Sequence, residues 1–122
     1  MAKVLICDDN QAIRRVLTEI IELDKHEAIV AIDGVDALEK IKLNNPDLIL
    51  LDIKMPKLDG FDVLETLQQL SNKIPIIMIS GQSDEVLIEK CKRLGAFDYM
   101  MKPFELELFF ASVRKALIRN EN

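Results

Sequence analysis

Residues 47–60 read DLILLDIKMPKLDG. Leu48, Ile49, Leu50 and Leu51 make an unbroken apolar run, the pattern of a strand buried on both faces, and the run ends on Asp52. A solubilising charge could sit on any loop, so a carboxylate delivered by a buried strand calls for a reason. Working outward, four further strand-like runs appear: Val4 to Cys7, Ala28 to Ile32, Ile76 to Ile79, and a weaker Phe97 to Met101. Between the first two, Ile13, Val16, Leu17, Ile20 and Ile21 recur at the spacing of one helix face. Leu38 and Ile41, then Val63, Leu64 and Leu67, then Leu87, Cys91 and Leu94, and finally Phe109, Phe110, Val113, Ala116 and Leu117 continue the alternation. Five βα units follow. Continuous rather than alternating apolar strands require a parallel sheet covered by helices on both faces, so residues 1–122 are expected to form one doubly wound α/β domain.

The 122 residues are enough for a single core, and 49% hydrophobic with 30% charged residues is an ordinary globular mixture. A net charge of −5, with scattered Lys and Arg, disfavours a nucleic-acid surface. Cys7 and Cys91 lack metal or CxxC spacing and read as core residues. The start MAKVLICDD has no secretory h-region and no apolar run reaches membrane-spanning length, so a cytoplasmic protein without membrane contact is expected.

Open α/β sheets carry their sites beyond the carboxyl ends of the strands. Asp52 stands at such an end, as do Asp8 and Asp9 after the first strand, Ser80 after the fourth and Lys102 after the fifth. They converge if strands one, three, four and five are neighbours. Singly, each has an ordinary explanation. Asp8, Asp9 and Asn10 suit the cap of a helix starting near Gln11, Ser80 a loop, and Lys102 a solvated charge. Together they do not, because three carboxylates in one crevice repel unless a cation sits among them. A hard divalent ion with oxygen ligands is the usual remedy, and Mg²⁺ in such a setting also binds phosphate.

These residues resemble the response-regulator receiver domains (CheY-like) of two-component signalling. The likeness runs through Asp8-Asp9, Asp52, Met55-Pro56, Asp59-Gly60, Ser80 and Lys102-Pro103-Phe104, nearly the whole chain. It implies a flavodoxin-like (βα)5 fold with strand order 2-1-3-4-5. By the same resemblance Asp52 is the phosphoacceptor, and Mg²⁺, for which Mn²⁺ can substitute, is held by Asp8, Asp9, Asp52 and the backbone carbonyl of Lys54. Ser80 and Lys102 would meet the phosphoryl group, with Ser80 and Tyr99 forming a switch. Lys54 and Gln82 would tune hydrolysis, a lysine stem shielding the phosphorus and slowing it. The implied donor is a sensor histidine kinase or a phosphotransfer protein. The implied target is a downstream protein meeting the fourth helix, fifth strand and fifth helix.

The chemistry is coherent on its own terms: a carboxylate can attack phosphorus if the donor is held in line and its charge neutralised, so such a domain catalyses its own phosphorylation without being a turnover enzyme. An Asp-nucleophile phosphatase would need a second Asp where Lys54 stands, and a flavin module would need a phosphate cradle where CDDNQA offers carboxylates. A degenerate receiver acting as a phosphorylation-independent binding module is the alternative, although every site position is filled. The end of the chain at Asn122 leaves either a stand-alone receiver or one cut from a longer regulator.

Other residues read as structural. His26, the sole histidine, suits a solvated strand start. Gly60 is expected to relax the turn after Asp59, Gly95 to cap a helix, Pro103 to be cis, and Met55, Met78, Met100 and Met101 to pack.

Overall fold

The computed structural model describes residues 2–81 and 84–121. Strands and helices alternate throughout: β1 (Lys3–Cys7), α1 (Gln11–Leu23), β2 (Glu27–Ala31), α2 (Gly34–Asn44), β3 (Leu48–Asp52), α3 (Gly60–Gln69), β4 (Ile76–Ser80), α4 (Glu85–Arg93), β5 (Asp98–Met101) and α5 (Leu106–Glu121). The five strands form one parallel sheet in the order β2-β1-β3-β4-β5, as expected.

The pleat sorts alternate strand residues onto two apolar layers. Leu5, Cys7, Ile49, Leu51, Ile76 and Met78 face α2, α3 and α4, where they meet Ala37, Ile41, Val63, Leu64, Leu67 and Cys91. Val4, Ile6, Leu48, Leu50, Ile77 and Ile79 face α1 and α5, where Leu17, Ile21, Phe109 and Val113 cover them. Both cysteines are free and buried, and burial raises both thiols above their ordinary pKa, Cys7 the more strongly.

The helix boundaries follow from local chemistry. Asn10 caps α1 by accepting from the Ile13 amide at 3.0 Å, and Asp33 caps α2 by accepting from Asp36. Asp59 and Asp62 close a capping box on α3. Gly95, with φ +91°, ends α4 in a conformation that side chains avoid. The Lys102–Pro103 bond is cis. No helix among the described residues is long and apolar enough to cross a membrane.

Four sequence expectations need correction. The edge strands are not dry on both faces: Val30 in β2 is exposed, Ile32 falls beyond the strand, and Met101 in β5 is 45% exposed rather than packed. An edge strand has a neighbour strand on one side only, so although helices contact it, part of its side-chain surface stays open to solvent. Val16 is half exposed on α1, in an apolar cleft it shares with Ile20, Phe104 and Leu106. His26 precedes β2 but is part-buried and engaged rather than a freely solvated side chain. Its Nδ1 accepts from the Ala2 amide at 3.1 Å and its Nε2 lies 3.5 Å from Asp24. Gly60 is required for space rather than for a special φ, since a Cβ there would overlap the Asp52 carbonyl oxygen and stand 2.8 Å from Ile53 Cα.

Candidate functional site

The order β2-β1-β3-β4-β5 makes β1, β3, β4 and β5 consecutive neighbours, so their carboxyl ends share one edge. Asp52 is the last residue of β3 and Ser80 the last of β4. Asp8 and Lys102 each stand one residue beyond a strand. The ladder ties them together: the Ile53 amide donates to Ile79 O at 3.3 Å, and the Lys102 amide donates to Ser80 O at 2.7 Å.

One carboxylate oxygen each from Asp8, Asp9 and Asp52 lies within 4.8 Å of the others. Lys102 Nζ stands 2.9 Å from Asp8 and 3.6 Å from Asp52. Asp8 is buried and each of its polar atoms is engaged. Its amide donates to Ala31 O at 3.2 Å, its carbonyl accepts from Arg14 Nη1 at 2.8 Å, and its carboxylate accepts from the Asn10 amide at 2.9 Å and from Lys102. Asp9 is exposed and Asp52 is 8% exposed. Burial pushes the Asp52 carboxyl up to about 6, helped by repulsion from Asp8 and Asp9, and the opposing pull of Lys102 does not cancel them.

A single ammonium against three carboxylates leaves negative charge uncompensated, and the donor set is all oxygen, so the residues present fit a small divalent cation such as Mg²⁺. Beside the cluster lies a crevice of about 570 Å³ lined by Asp9, Lys54, Met55, Asp59, Phe61 and Leu87. It is large enough for a phosphoryl group to approach between Asp9 and the β3–α3 loop.

Residues 4–114 match the family model of the response regulator receiver domain. The chain belongs to that family. Among curated proteins it is 40% identical over 120 residues to a probable transcriptional regulator, ycf27, of Cyanophora paradoxa, covering 98% of this chain and 50% of that one. It is 32% identical over 120 residues to sporulation initiation phosphotransferase F of Bacillus subtilis, covering 98% and 97% respectively. The receiver domain of Francisella response regulator 1452 superposes with a TM-score of 0.93 at 31% identity, over 98% of each chain. The chain spans about half the length of several of the curated relatives it matches. Receivers are the signalling domains of two-component regulatory systems and bind Mg²⁺ through an acidic pocket; in this chain Asp8, Asp9 and Asp52 form an acidic cluster with the oxygen donors that could hold such an ion.

The geometry brings Asp8, Asp9, Asp52, Ser80 and Lys102 of this receiver to one edge, with Lys54 exposed on the crevice rim. Tyr99 lies apart from them, half-buried in β5 against the layer that holds Met78 and Cys91. Gln82 lies outside the described residues. Arg14 was not legible in the sequence. It sits at a mixed position of α1, and only the folded turn shows that its guanidinium reaches back to the Asp8 carbonyl.

Proposed function

We propose that residues 1–122 act as one phosphorylation-activated switch, in which Asp52 takes a phosphoryl group from a sensor histidine kinase or a phosphotransfer protein. The observation that carries this reading is the Asp52 carboxylate at a strand end, with an oxygen within 4.8 Å of oxygens of Asp8 and Asp9 and 3.6 Å from Lys102 Nζ. When bound, Mg²⁺ would neutralise charge on the transferring group. Asp52 supplies the electron pair: its oxygen bonds to phosphorus as the bond from phosphorus to the donor breaks, and the donor leaves with those electrons. Asp9 and the Lys54 carbonyl are assigned as direct metal ligands and Asp8 as a supporting acid that also holds Lys102. Lys102 is assigned to the phosphoryl oxygens, and its 3.6 Å approach to Asp52 supports that assignment.

The output is assigned to α4, β5 and α5, through Ser80 and Tyr99. Exposed apolar side chains on these elements, among them Val86, Met101, Leu106 and Leu108, suit a protein partner. Lys54 and Gln82 are assigned to tuning hydrolysis, with the Lys54 stem covering the phosphorus.

A small phosphodonor such as acetyl phosphate, with Mg²⁺, tests the reading. The wild-type chain should gain one acid-labile, hydroxylamine-sensitive phosphoryl group by intact mass, and Asp52→Asn and EDTA-treated samples should gain none. Labelling of Asp52→Asn to the wild-type extent would remove Asp52 from its role.

A further inference from the structure

The turn from β2 into α2, residues 31–36, lines no part of the crevice, yet it touches both arms of the site. On one side Ala31 O accepts from the Asp8 amide at 3.2 Å, which anchors the β1–α1 turn carrying Asp8 and Asp9. On the other, Gly34 is buried directly against Leu58 of the β3–α3 loop. A Cβ on Gly34 would overlap the Leu58 carbonyl oxygen and lie 2.6 Å from the Leu58 carbonyl carbon. This is backbone against backbone, so no side-chain rotation could absorb an added methyl group. The next contact back along the turn reinforces it. Asp33 caps α2 through Asp36 and places its other oxygen 3.4 Å from Lys57 Nζ, on a residue held at φ +69°. The turn is itself stiff, because the Ile32 amide donates to Asp36 Oδ2 at 3.0 Å.

The loop braced in this way runs from Ile53 to Asp59. Its ends are drawn together by the Gly60 amide, which donates to Ile53 O at 2.7 Å, and its first half contributes Lys54 and Met55 to the crevice that Asp9 also lines. Its ends are thus closed and its outer side is seated on Gly34, so its backbone is braced at both points.

We propose that the β2–α2 turn is the back-plate of the cation site, and that Gly34 is its positioning residue. By letting α2 seat on the Leu58 backbone, Gly34 sets the distance between the β3–α3 loop and the acidic pair. The inference rests on the metal-binding reading of Asp8, Asp9 and Asp52, and adds that affinity for the ion is governed from a turn outside the crevice.

Calorimetric titration of Mn²⁺ into the intact chain, with amide spectra of the metal-free protein, tests it. Gly34→Ala should weaken Mn²⁺ binding by about tenfold or more, the scale at which residues that orient metal ligands act. It should also displace the amide signals of residues 53–60. Asp33→Asn keeps an effective cap and removes only the charge facing Lys57, so its melting temperature should hold while binding weakens by about twofold to fivefold. A purely structural role for the turn would lower the melting temperature of Gly34→Ala and leave the affinity of its folded form, and the signals of residues 53–60, as in wild type. That result overturns the proposal. If Gly34→Ala does not fold, Asp33→Asn decides, and unchanged Mn²⁺ affinity there is fatal to the idea. A wild-type chain that takes up no Mn²⁺ overturns the metal reading together with this one, whereas equal binding by wild type and variants overturns this one alone.

Discussion

Asp52 is costly where it stands. Its carboxyl titrates near 6 in the folded chain against 3.8 for an ordinary aspartate, so the fold favours the protonated form. A raised carboxyl pKa destabilises the fold once the group ionises: the penalty is absent below about pH 4, grows as pH rises through 6, and is constant above it. Asp52→Asn removes that penalty. In EDTA at pH 7.5 the variant should melt above wild type, by roughly 3–5 °C for each ~1 kcal/mol that survives solvent screening. The gain should shrink toward zero as pH falls to about 4, and a gain that is flat or inverted with pH would contradict the crowding. Mg²⁺ has to displace the same proton, so its apparent affinity should fall as pH drops below about 6.

Among the helices, α4 has the thinnest anchorage. Cys91 is its one fully buried residue, whereas α3 buries Gly60, Val63, Leu64 and Leu67. What holds α4 to its neighbour is partly polar: Lys90 Nζ lies 4.3 Å from the centre of the Phe61 ring, and Gln68 Nε2 donates to Arg93 O at 3.3 Å. Elements with little buried apolar surface open most readily, so amide hydrogens of α4 should exchange with solvent faster than those of α3. Phe61→Leu removes the aromatic seat for the ammonium, worth about 0.5–1 kcal/mol, and should speed α4 exchange by roughly twofold to fivefold. Phe61 and Leu87 also line the crevice, so whatever fills it touches both α3 and α4. Exchange in α4 as slow as in α3 would count against this helix as the yielding element.

At the scale of the whole molecule, the site and the proposed output face are joined through the β4–β5 ladder. Ser80 pairs with Met101, Met78 pairs with Tyr99, and the Lys102 amide bonds to Ser80 O. A ligand that draws on Ser80 and Lys102 therefore pulls on both strands beneath α4 and α5. Beryllofluoride with Mg²⁺, a mimic of the phosphoryl group, should shift amide signals across α4, β5 and α5 while leaving those of α2 beyond its first turn largely in place. Shifts confined to the residues around Asp52 would remove the proposed switch. Ser112, which donates to Asp98 across the α5–β5 contact, is a reporter for whether α5 moves with the strand.

The amino-acid sequence alone determined the alternation of strands and helices, the need for helices on both faces of the sheet, and which polar residues end the strands. Those features are written in local periodicity: a continuous apolar run such as Leu48 to Leu51 demands cover on both faces, and a residue just past it must stand at the sheet edge. The cap at Asn10 and the end of α4 at Gly95 were legible for the same reason, whereas the capping box of Asp59 and Asp62 was not read from the sequence. Strand order came from family resemblance, since periodicity does not say which strands are neighbours. What only the tertiary structure decided are the distances between residues far apart in the chain. Lys102 meets Asp8 across 94 positions, and Arg14 turns back to the Asp8 carbonyl. Gly34 meets the Leu58 backbone, and β2 and β5 are left part-exposed as edges. None of these has a local pattern, because each depends on how separate elements pack rather than on the spacing of residues within one.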